Sequence, residues 1–77
     1  MNTSHYTPPA SPDIVQNLFA RIFKGSEGGN ALAYLRAMTL DRAMGAHVSS
    51  EQLWHLEGQR HLARHIIKLV ERGQTAE

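Results

Sequence analysis

The chain has 77 residues, a formal net charge of +1 and no cysteine. A chain of this length forms one small domain that buries only about 60% of the surface of its unfolded form, so we expect a partner or further copies to add stability. The absence of cysteine excludes disulfides and thiolate metal sites, and the small net charge argues against general polybasic adhesion to nucleic acid.

Residues 1–10 are predicted to form an extended arm. The Thr-Pro-Pro run at residues 7–9 favours polyproline-like backbone angles. The arm is either disordered by itself, as chain ends commonly are, or laid along a neighbouring subunit, with His5 and Tyr6 as its candidate anchors. It lacks the basic start and hydrophobic stretch of a secretion signal, and no apolar run approaches the ~18–20 residues that span a bilayer. We therefore expect no membrane contact.

A first helix is predicted at residues 12–24. Ser11 suits the N-cap, Pro12 suits the first helical position, and Gly25 suits a left-handed stop. The apolar residues of this helix form adjacent pairs that repeat every four residues: Ile14, Val15, Leu18, Phe19, Ile22 and Phe23. This pattern predicts one continuous apolar stripe.

A second helix is predicted at residues 27–44, after a cap at Ser26. Gly28 and Gly29 each weaken its first turn by about 1 kcal/mol relative to alanine, so we expect them to permit a close approach or a change of direction. The inward stripe of this helix consists of Leu32, Leu35 and Met38, with Met44 as an extension.

A third helix is predicted at residues 50–72. Ser49 and Gln52 have the spacing of a capping box, although Ser50 is an equally suitable cap. Gly73 is expected to close the helix. One arc of about half the circumference carries the apolar residues, which are Leu56, Leu62, Ala63, Ile66, Ile67, Leu69 and Val70.

These elements predict an all-α fold, with a single helical domain at residues 11–73 and a polar tail at residues 74–77. The connection between helices 2 and 3 is short, which favours antiparallel neighbours. We therefore expect helices 2 and 3 to form an antiparallel hairpin, with helix 1 packed across it.

The side of helix 3 away from the apolar arc predicts a ridge of positive charge. Basic residues follow one another there at four-residue intervals: Arg60, Arg64, Lys68 and Arg72. Glutamates at positions 51, 57 and 71 weaken the field of this ridge. The ridge could contact an acidic protein surface, DNA phosphates or only solvent.

Three further residues of helix 3 are candidate contacts. Trp54 lies near the basic side, where it either anchors an interface or is covered by helix 1. Gln59 falls within the apolar arc, so it is either a buried amide that needs hydrogen-bond partners or a partly exposed residue. Gly58, at the edge of the arc, either admits another helix closely or is neutral.

The titratable residues provide no recognisable catalytic arrangement. Glu57, His61 and His65 have the spacing of a candidate zinc site, with solvated histidines as the favoured alternative. Leu62 stands where a thermolysin-like order needs glutamate, which excludes a zinc protease of that kind. No serine, threonine or aspartate is paired with histidine as nucleophilic catalysis requires, and the glycine pair at 28–29 is no phosphate loop. We therefore predict no catalytic, cofactor-binding or metal site, and a protein that is not an enzyme.

Three short stretches carry a resemblance. Residues 18–23 read Leu-Phe-Ala-Arg-Ile-Phe, residues 26–28 read Ser-Glu-Gly, and residues 57–60 read Glu-Gly-Gln-Arg ahead of an Ile/Leu-rich helical end. In this order they resemble a family of very short proteins from the structural genes of tailed bacteriophages, named after a Bordetella phage protein. The resemblance covers roughly residues 15–72. It implies a phage origin and a place in the virion or its assembly, near portal and capsid gene products, and it carries over no catalytic residues.

We therefore expect a non-enzymatic bacteriophage structural or virion-assembly protein, found in the virion and, during assembly, in the host cytoplasm. It is expected to bind other virion proteins of the portal or capsid region through helical faces, and to form homo-oligomers. The apolar residues expected nearest to a partner are Phe19, Phe23, Trp54 and Ile67. The alternative is a DNA-binding accessory or packaging factor that uses the basic ridge of helix 3.

Overall fold

The computed structural model describes residues 7–9 and 11–75. The predictions for the other residues of the arm, including His5 and Tyr6, and for the last two residues of the tail lie outside the described residues. The described part contains three helices and no strand: α1 Pro12–Ile22, α2 Gly25–Met38 and α3 Ser50–Thr75. The all-α prediction is therefore confirmed.

A tight corner joins α1 to α2. The N–H of Phe23 donates to the carbonyl oxygen of Phe19 at the end of α1, and Gly25 then has a φ of +71°. Gly25 has the left-handed backbone that was predicted for it, which a residue with a Cβ rarely adopts, but it does not stop the first helix, because α1 ends at Ile22 with Phe23 as its C-cap. Gly25 is instead the first residue of α2, so the predictions of a start at residue 27 and of a cap at Ser26 are wrong, and Lys24 is the N-cap. A Cβ at Gly28 would lie 2.7 Å from the Cα of Phe23, whereas nothing lies within 4 Å at Gly29. Only the first glycine of the predicted pair is therefore required by a close approach.

Helix α2 ends at Met38, six residues before the predicted end at position 44. Thr39 leaves the helical conformation, with φ −125° and ψ −75°. The carbonyl of Arg36 accepts the N–H of Thr39 at 3.2 Å and that of Asp41 at 3.0 Å. The apolar pattern continues to Met44, but these bonds and a side chain from α3 close the helix earlier.

Helix α3 begins as the capping-box pattern predicts. The Ser49 hydroxyl accepts the Gln52 N–H at 3.1 Å, and the Gln52 amide oxygen accepts the Ser49 N–H at 3.1 Å. Ser49 is therefore the cap, and Ser50 is the first helical residue. The prediction that Gly73 closes the helix is wrong, because α3 continues through Gly73 to Thr75.

The core lies between α1 and α3, which form the principal helix pair. Gly73 is buried there, and a Cβ on it would lie 2.6 Å from the Cβ of Ala20 and would clash with the carbonyl of Gln16. The close approach of two helices thus uses the glycine that the pattern assigned to a stop. Among the residues that the structure describes, the fully buried apolar side chains all belong to α3: Leu56, Ala63, Ile67 and Val70.

Helix α2 contacts α3 far less than α1 does. Arg36 in its last turn and Leu40 just beyond lie beside Ile67, and Thr39 lies beside Arg60. The last turn of α2 and the residues just after it thus lie against the middle of α3. An antiparallel hairpin of the second and third helices along their full length stays a prediction.

Candidate protein-binding surface on helix α3

The predicted apolar partner residues separate into packed and exposed positions. Ile67 is buried in the core, so it presents no exposed surface in this chain by itself, and its role as a partner contact stays a prediction. Phe19 and Phe23 are half-buried, and their rings stack with centroids 6.3 Å apart and planes inclined by 25°. Of these residues, Trp54 alone is largely exposed, at 73%.

Arg60 does not belong to the exposed ridge that the sequence predicts. Its side chain is only 19% exposed. Its Nε donates to the carbonyl of Thr39 at 2.9 Å, one terminal nitrogen donates to the carbonyl of Arg42, and the other pairs with Glu57 at 2.7 Å. The guanidinium therefore donates to carbonyl oxygens just after the C-terminal end of α2, where the helix dipole favours a positive charge.

The remaining basic residues of the predicted ridge, Arg64, Lys68 and Arg72, are exposed. Arg64 and Lys68 line a cleft of about 390 Å³ together with Arg36 from α2. Glu71 lies in the same cleft and offsets part of the charge. The helical wheel of α3 could not have revealed Arg36, because tertiary packing alone brings α2 to this face.

A row of exposed positions follows α3 at four-residue intervals, and we call it the Trp54 stripe: Trp54, Gly58 and Leu62. Leu62 is 58% exposed, although the sequence pattern placed it in the buried arc. Gly58 has nothing within 4 Å of the position of a Cβ. Since residues four apart on a helix are neighbours, the stripe presents two large apolar side chains on either side of a gap.

Gln59 is exposed, so the partly exposed alternative holds in this chain. Its amide nitrogen lies 3.2 Å from Nε2 of His55. Both side chains border an open cleft of about 460 Å³ between the start of α3 and the preceding loop, with Met44 and Val48 among the apolar lining. The cleft therefore adds mixed polar and apolar surface near the stripe.

Exposed apolar residues also lie on α1, where the sequence pattern predicted one continuous apolar stripe. Each adjacent apolar pair has one half-buried member and one exposed member. The exposed members are Ile14, Leu18 and Ile22. The width of the predicted stripe could have indicated this exposure from the sequence, because a helix with two parallel apolar rows can bury only one of them against a single neighbour.

The described residues contain no group of three histidine, cysteine, aspartate or glutamate side chains that could hold a metal ion. Glu57, which the candidate zinc site would have used, is instead paired with Arg60. Within the same residues, no helix has both the length and the apolar character needed to cross a bilayer.

The family model of the Bbp19-like phage protein matches residues 19–74. The match covers well over half of the chain, which therefore belongs to this family. The predicted resemblance to a short phage protein family is confirmed. No curated protein and no solved structure shows significant similarity to the chain.

Proposed function

We propose that this chain is a non-enzymatic phage structural or virion-assembly protein that binds another virion protein through the Trp54 stripe. Membership of a phage protein family supports a role in a bacteriophage. The observation that carries the proposal is the exposure of Trp54 and Leu62 on one line of α3, with the open Gly58 between them.

The energetics of burial favour a partner on this stripe. Covering a large apolar side chain contributes about 1.5–3 kcal/mol, and tryptophan is enriched among the residues that dominate protein interfaces. Gly58 lets the backbone or a side chain of the partner approach the axis of α3 closely. Trp54 and Leu62 can then pack on either side of that contact.

The test compares particles of the phage that encodes this chain. Substituting Trp54→Ser and Leu62→Ser together should remove the chain from virions or assembly intermediates, as measured by mass spectrometry of purified particles. The matched control carries Tyr34→Ser and Met38→Ser, which remove two exposed apolar side chains of α2. Cross-linking in wild-type particles should join α3 to the partner. A folded Trp54/Leu62 variant that is incorporated at the wild-type level would overturn the proposal.

A second candidate is a DNA-binding accessory or packaging factor. It is favoured by one observation, the presence of Arg36 beside Arg64 and Lys68 at the same cleft. Phosphate contacts release counterions, so affinity for duplex DNA should fall steeply with salt. Arg64→Gln with Lys68→Gln should then weaken binding, whereas Lys24→Gln should not. A wild-type chain that binds no duplex at low salt eliminates this candidate.

A further inference from the structure

The exposed apolar row of α1 has no partner among the described residues. Ile14 is 55% exposed, Leu18 is 36% exposed and Ile22 is 58% exposed. Their four-residue spacing places them on one side of the helix, and the half-buried row of Val15 and Phe19 lies next to them. We call the exposed residues the α1 row.

A polar row lies on the other flank of the α1 row, one residue earlier at each step. It consists of Asp13, Asn17 and Arg21, and all three are exposed. Its charges run from negative through neutral to positive along the helix. Two copies of this row match when the helices run in opposite directions, because the acidic end of one copy then lies against the basic end of the other.

From this pattern we propose that two copies of the chain pair through α1 in antiparallel orientation, about a two-fold axis near Leu18. Ile14 of one copy then packs against Ile22 of the second copy, and the two Leu18 side chains meet at the axis. Equivalent flanks face each other in an antiparallel helix pair, so Asp13 lies within one helical turn of Arg21 of the second copy. The same contact occurs twice, as two-fold symmetry requires.

The parallel arrangement lacks this match. In a parallel pair, opposite flanks face each other, so the polar row would meet the half-buried Val15 and Phe19 row of the second copy. Polar side chains would then be set against apolar ones. In the antiparallel pair, the half-buried rows of both copies lie on the same side, so polar flank faces polar flank and apolar flank faces apolar flank.

The expected association is weak. An α1 of 11 residues with three exposed apolar side chains offers less than the about 800 Å² per partner of a standard interface. We therefore expect a dimer with a dissociation constant of roughly micromolar to tens of micromolar, which dissociates on dilution below that range. The proposal does not rest on the proposed function, since the Trp54 stripe lies on a different helix.

The test is sedimentation velocity over a concentration series with charge-reversed variants. Asp13→Arg and Arg21→Asp should each weaken self-association about tenfold, because each change places like charges at both symmetric contacts. An equimolar mixture of the two variants should associate again, since the introduced arginine of one chain then meets the introduced aspartate of the other. The mixture contains the same two variants as the separate solutions. Any loss of α1 stability caused by the substitutions is therefore present in the mixture as well, and cannot explain a recovery of association.

A second measurement leaves the charges unchanged. The chain has no cysteine, so the cysteine of an Asn17→Cys variant is its only thiol. In the proposed dimer this cysteine lies near the two-fold axis. It should form a disulfide-linked dimer under mild oxidation much faster than Asn30→Cys, at an exposed site on α2. A wild-type chain that stays monomeric at several hundred micromolar (far above a micromolar dissociation constant), a mixture that associates no better than its components, or equal cross-linking at both cysteines would each overturn the proposal.

Discussion

Nε of Arg60 donates a hydrogen bond of 2.9 Å to the carbonyl oxygen of Thr39, across 21 positions of the sequence. The Thr39 hydroxyl donates in turn to the carbonyl of Leu35 at 2.7 Å. Because carbonyls at a helix C-terminus lack partners within the helix, one side chain of α3 satisfies groups that α2 leaves open. This contact links the end of α2 to the middle of α3.

Replacing Arg60 should destabilise the fold. Arg60→Ala removes the donors to Thr39 and Arg42, and we expect a loss of about 1–3 kcal/mol in the free energy of unfolding. Urea denaturation followed by circular dichroism measures it. The control is Arg64→Ala, an exposed neighbour on the same helix, which should change stability by less than about 0.5 kcal/mol. Equal effects of the two substitutions would show that the contact to Thr39 contributes little.

The two glycines of α3 should respond to alanine in opposite directions. Gly73→Ala places a methyl group against Gln16 and Ala20, so α1 and α3 must separate and stability should fall. Gly58→Ala meets open space and should raise stability by about 0.4–1 kcal/mol, because alanine reduces the entropy of the unfolded chain. Thermal unfolding of both variants measures the difference. A tolerated Gly73→Ala would contradict the close approach of the helices.

The adjacent glycines of α2 provide a second matched pair. A methyl group at Gly28 would clash with the backbone of Phe23, which cannot move without opening the corner at Gly25. Gly28→Ala should therefore destabilise the chain, whereas Gly29→Ala, in open space, should be neutral or stabilising by up to about 1 kcal/mol. Chemical denaturation at equal protein concentration checks the order. Similar stabilities of the two variants would indicate a looser corner.

Trp54 should report partner binding through its own fluorescence, since it is the only tryptophan of the chain. At 73% exposure, the isolated protein should show red-shifted emission that acrylamide quenches readily. Addition of the virion partner identified by cross-linking should shift the emission to the blue and protect it from quenching. A Leu62→Ser variant should weaken that response without changing the emission of the free chain. Blue-shifted emission from the isolated chain would contradict the exposed position of Trp54.

Much of the local structure could be predicted from the sequence. The N-cap of α3 follows from Ser49 and Gln52, and the corner after α1 follows from Gly25, because both depend on residues within a few positions of each other. The end of α2 could not be predicted in this way. It depends on Arg60, whose helical position suggested a solvent-exposed ridge until packing placed it beside Thr39.

The sequence by itself determined that the chain is helical, where its first and third helices start, and that its apolar surface exceeds what one small core can cover, because these properties depend on composition and short-range spacing. Only the tertiary structure decided which apolar residues remain exposed. Ile67 and Leu62 are similar in character and belong to the same predicted arc, yet one is buried and the other is exposed. The difference arises from where the neighbouring helices lie, and the 3.6-residue period of a single helix does not contain that information.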